Sequence, residues 1–152
     1  MTVTPTPGAL KKFRRTPWRF QQTVQRPQAS DLDRFVSTII TAHGHIATAT
    51  VTIDEVVFNT ERMTALCPAG STLTHDSSIS AESAEEMHAL LVAAFCDGPD
   101  FICIPSPKPF VFYADHDDWI TFYANNKSNL NHIMEPLASH GYTLVENWQR
   151  EL

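Results

Sequence analysis

At 152 residues, with 43% hydrophobic and 10% aromatic content, the chain fits a single domain and lies outside the composition of disordered proteins. Its net charge of −6 hides two unlike parts: residues 1–30 carry six basic side chains and no acidic one, while residues 31–152 carry all seventeen carboxylates against five basic residues. No apolar run approaches the roughly 18–20 residues of a membrane helix, and no apolar stretch follows the N-terminal basic residues, so neither a membrane span nor a secretory signal is expected.

The charge split predicts a cationic, Pro-containing arm over residues 1–28 that precedes an acidic globular domain over residues 29–152. Pro5, Pro7, Pro17 and Pro27 argue against a long helix in the arm, which is read as extended. Phe13, Trp18 and Phe20 sit among its cations. They either stack on nucleic-acid bases or pin the arm to its own domain, where its charge offsets that of the body.

Ser30 as a cap, Asp31 and Asp33 in the first turn and Gly44 at the end mark a first helix. Leu32, Phe35, Val36, Ile39 and Ile40 form its apolar stripe. Over 45–58 the period changes to two, with Ala47, Ala49, Val51 and Ile53 on one face and threonines on the other, the pattern of a half-buried strand. Residues 63–67 are a candidate second strand, and the Ser/Thr-rich stretch after Pro68 reads as loop. A second helix over about 81–96 is capped at Ser83, with Glu86 completing a capping box, or one turn earlier at Ser80. Residues 101–104 form a short strand cut by Pro105.

Residues 110–125 read as a hairpin. Pairing 112 with 122 and 114 with 120 gathers Phe110, Phe112, Ala114, Ile120, Phe122 and Ala124 on one face, with Val111, Tyr113, Thr121 and Tyr123 opposite. A third helix follows, with Pro136 inside it and Gly141 at its end, and 142–148 closes the chain as a strand. The predicted class is α+β: one domain, a mostly antiparallel sheet, and about three helices mainly on one face.

The densest polar cluster is Asp115, His116, Asp117 and Asp118 at the hairpin tip, beside Trp119. Such a set could hold a divalent cation or poise the imidazole as a base. Asp-rich turns, however, bond their own backbone, and successive side chains point apart, so no metal is assigned. His43 and His45 make an HxH pair without an identifiable third ligand. Cys67, Cys96 and Cys103 show no CxxC spacing; reduced thiols and a cytoplasmic location are expected. No GxSxG, SxxK or phosphate-binding loop occurs, no catalytic residue is assigned, and no cofactor is expected.

Acidity, size and the missing catalytic motifs favour a protein-binding module. The expectation is an inhibitor or immunity-type protein that occludes a basic partner such as a nuclease toxin through Asp115, His116, Asp117, Asp118, Trp119, Tyr113 and Tyr123. One alternative is a small enzyme or ligand-binding domain using the hairpin tip or the tyrosine face. Another is a subunit docked through the basic arm, the one segment suited to nucleic acid. The acidic body disfavours membrane and nucleic-acid surfaces.

Overall fold

Alternating phenylalanine with tyrosine, valine and threonine builds the centre of an eight-stranded sheet in the computed structural model, which describes residues 1–44, 46–146 and 148–150. Strands β1 (Thr2–Pro5), β2 (Phe20–Gln25), β3 (Thr48–Glu55), β4 (Ser77–Ala81), β5 (Asp100–Ser106), β6 (Val111–Ala114), β7 (Trp119–Ala124) and β8 (Leu144–Val145) lie in the order β1-β4-β3-β5-β6-β7-β2-β8. Every pairing is antiparallel. Phe112 faces Phe122 and Ala114 faces Ile120. This is the register that burial demands, because a one-residue slip would scatter the phenylalanines over both faces.

Among the described residues, α1 (Ala9–Arg15), α2 (Leu32–Thr41), α3 (Glu61–Ala65), α4 (Ala84–Asp97) and α5 (Lys127–Ser139) join the sheet. The stripes of α2, α4 and α5 close over one face, forming a core with Phe35, Phe95, Phe101, Phe110, Phe112 and Phe122. Ser83 caps α4 by accepting from the Glu86 N–H at 3.1 Å, so the later of the two expected caps is used. Asn126 caps α5 through the N–H groups of Ser128 and Asn129. Pro136 stays within α5, which continues to Ser139.

The extended arm preceding the domain is not what forms. Residues 1–28 supply β1 at one sheet edge, β2 between β7 and β8, and α1 across the second face. The physical reason is that Leu10 and Phe13, one helical turn apart, bury against Ile102, Val111, Tyr113 and Tyr123. The second face of the hairpin would otherwise be exposed aromatic surface. The arm's cations are used internally as well. Arg14 pairs with Asp54 at 2.5 Å, and Arg26 donates to the carbonyls of Phe95 (3.0 Å) and Asp115 (2.6 Å).

Residues 63–67 form no strand: they belong to α3 and the turn after it, which Asp97 caps through the Met63 N–H at 2.8 Å. The strand of that region is β4, whose serines hide its character. Ser78 is buried because Thr6 and Thr52 satisfy its hydroxyl. Strand β5 runs through Pro105, which is tolerated because β6 pairs with β5 only over 101–103.

Candidate functional site

Strand direction gathers carboxylates at one end of the sheet, where Arg14, Arg26, Arg62 and Arg150 stand among them. The last residues of β3, the first of β5, the β6–β7 turn and the loop before β4 all lie there, bringing together Asp54, Glu55, Asp76, Asp97, Asp100, Asp115, Asp117 and Asp118. They are eight of the seventeen carboxylates of the chain. At the opposite end stand Arg19, Lys108 and Lys127, beside the ends of β2, β5 and β7.

The carboxylates at the acidic end divide by role. Asp97 and Asp100 are buried and work on the backbone. Asp97 caps α3, and Asp100 accepts from the His116 N–H at 2.6 Å and from its Nδ1 at 2.9 Å. That contact with Asp100 holds the His116 imidazole above its ordinary pKa. Asp54 accepts from the Tyr113 hydroxyl at 2.6 Å and from Arg14. Asp115 pairs with Arg150. Glu55, Asp117 and Asp118 face solvent, with the Asp117 side chain 80% exposed.

The residues expected to bind a partner therefore separate. Asp117, Asp118 and His116 are exposed at the tip, and Trp119 is half-buried with its ring 4.2 Å from that of Trp148, nearly perpendicular. Tyr113 and Tyr123 form no open aromatic surface. Tyr113 is 8% exposed and stacks on Phe13; Tyr123 is fully buried between Phe13 and Trp18. Burial pushes the Tyr123 phenol up to about 12, and its hydroxyl finds no partner among the described residues. Burial, reinforced by Asp54, raises Tyr113 further. Burial lowers Arg26, whose guanidinium lies 5.6 Å from the Phe95 ring centre.

Sequence reasoning missed Arg150, Asp54 and Asp100, which lie 35, 59 and 16 positions from their partners at the tip or on Tyr113. Only the strand order reveals such pairs. It also missed Phe58, which is 69% exposed and, with Val56 at 39%, makes the exposed large apolar surface at this end. Phe58 lies against Gly98, where a β-carbon would stand 3.3 Å from the ring and φ is +75°. A side chain there is both strained and crowded. An open hollow lined by Val56, Thr60, Thr64 and Cys67 continues the surface.

The other candidates stay apart. The Nε2–H of His43 donates to the Asn129 carbonyl at 3.0 Å at the opposite end of the sheet, and burial lowers its pKa; His45 lies outside the described residues. Cys103 is buried, its thiol pushed up to about 12, and burial also raises Cys67, while Cys96 is exposed. Among the described residues no three His, Cys, Asp or Glu side chains are placed to hold a metal, and no helix is long and apolar enough to cross a membrane. Comparison with protein-family models, with curated proteins and with solved structures finds no match to this chain.

Proposed function

We propose that this chain is an acidic protein-binding module of the inhibitor or immunity type, which uses the acidic end of its sheet to cover a basic partner. The observation that supports this reading is the exposed Phe58 with Val56, set at the same end as the solvent-facing Glu55, Asp117 and Asp118. An aromatic side chain that its own fold leaves in water is suited to filling a partner's pocket. Carboxylates at the same end steer a cationic surface into place and make association fast and salt-sensitive. Asp97 and Asp100 are committed to internal partners, and the exposed charge of this surface falls on the tip, Glu55, Glu61 and Arg62.

Affinity purification of the tagged chain from its native host, at low and at moderate salt, tests the reading. A single stoichiometric basic protein is expected. It is lost as salt rises and retained less by Phe58→Ala and by Asp117→Asn/Asp118→Asn. Recovery of the chain alone at both salt concentrations, or a partner indifferent to these substitutions, overturns it.

A further inference from the structure

Arg150 reaches back over the second face of the sheet from the segment after β8, its side chain 19% exposed. Its guanidinium carbon lies 4.8 Å from the ring centre of Tyr113 and 5.5 Å from that of Trp148. Nη2 donates to Asp115, and Nε donates to the Thr121 hydroxyl at 3.4 Å. Two aromatic faces, a carboxylate and a hydroxyl acceptor match a planar, weakly hydrated guanidinium better than the compact ammonium of lysine. The cage is rigid on the sheet side, because Tyr113 and Thr121 face each other across the hairpin. On the other side the pairing is short, since β8 is two residues long, and Arg150 is tied down by its own backbone, whose N–H donates to the Gln21 side-chain oxygen at 2.9 Å and whose carbonyl accepts from the Gln21 amide nitrogen at 3.5 Å. One oxygen of Asp115, buried, has no hydrogen-bond partner among the described residues.

We infer that this is an arginine-recognition site occupied by the chain's own Arg150, and that an arginine side chain of the basic partner displaces it on association. The inference rests on the partner reading above and deepens it, naming the residue type the partner presents. An incoming guanidinium can engage both oxygens of Asp115, the bidentate geometry that Arg150 leaves incomplete. Trp119 and Trp148, at the rim, report the exchange.

The probe is N-acetyl-arginine amide, titrated while the indole N–H resonances of the tryptophans are followed by NMR. Arg150→Ala is expected to bind it saturably and at least tenfold more tightly than the unsubstituted chain. The matching lysine amide should bind more weakly, and Arg150→Ala/Asp115→Asn should lose the response. Arg150→Lys, which keeps a charge beside Asp115 and so guards against unfolding, should bind the arginine probe with intermediate affinity. A response of either variant no stronger than that of the unsubstituted chain, or one equal for arginine and lysine amides, overturns the cage. If Arg150→Ala binds the probe but no basic protein is captured from the host, the partner half is overturned and the cage stands.

Discussion

The two faces of the sheet are covered by unequal means. On one face α2, α4 and α5 lie over the strands, and Phe95, Phe101, Phe112 and Phe122 meet at ring separations of 5.2–6.1 Å with no polar atom required. On the other, α1 alone has seven residues, about 10 Å of helix, against a sheet roughly 34 Å wide for eight strands. It covers the centre with Leu10 and Phe13, helped by Trp18 against Tyr123 and Arg150 over Tyr113. The rows beside it consist of groups that satisfy one another: Thr52 with Ser78, Thr23 with Thr121, Tyr113 with Asp54. A face with too little helix above it is built from paired polar groups, and the hydrophobic effect then acts only where the cover reaches.

The severest way to break this contrast is to remove residues 1–28. That deletion strips α1 from the second face and takes β2 out from between β7 and β8. The remainder is expected to show no cooperative urea transition and to bind a hydrophobic dye. A folded 29–152 fragment would refute the claim that the basic segment is structural. Next in size are single truncations. Phe112→Ala, in the dry face, should cost about 3–5 kcal/mol by urea denaturation. Phe13→Ala should cost less, about 3 kcal/mol or below, because a short helix can settle into the space it leaves. Equal costs would mean the two faces are equally well packed.

How much of this was legible follows from the length of each signal. The helices α2, α4 and α5 have ten or more residues each and show their stripes openly. The hairpin register could be argued because its phenylalanines would be wasted in any other. By contrast, α1 shows one pair of apolar residues in seven, too few to establish a period, and β2 and β4 read as polar because their glutamines, threonines and serines are satisfied only by neighbours far along the chain. The exposed tip was legible as a run of acidic residues. Its anchors Asp100 and Arg26, and the cage around Arg150, were not, since each joins segments that only the strand order brings together.

A finer probe of the second face is the Thr23–Thr121 hydroxyl pair, fully buried at 2.8 Å. Thr23→Val alone removes one partner without changing shape and leaves the Thr121 hydroxyl with only the long contact to Arg150, so it should cost about 1–2 kcal/mol. Replacing both threonines by valine should recover part of that, to within about 1 kcal/mol of the unsubstituted chain. A double-mutant cycle with purely additive costs would show that the hydroxyls do not act as a pair.

The smallest expected effect compares the two ends of the sheet through their histidines. His116 is held above its ordinary 6.5 by Asp100, so its contribution is complete below about pH 6.5 and is lost as pH rises through the folded value. His43 is lowered by burial, so its contribution is complete above about pH 6.5 and is lost as pH falls through the folded value. One end therefore favours acid and the other alkali, and the sum is a shallow maximum with His116 shaping the alkaline side. Urea midpoints between about pH 5 and about pH 9 should show His116→Gln flattening the alkaline decline and His43→Gln flattening the acid one. If His116→Gln leaves the alkaline side unchanged, the Asp100 contact does not hold the tip in solution. The exposed Asp117 and Asp118 would then be presented to a partner from a loose turn rather than from an anchored one.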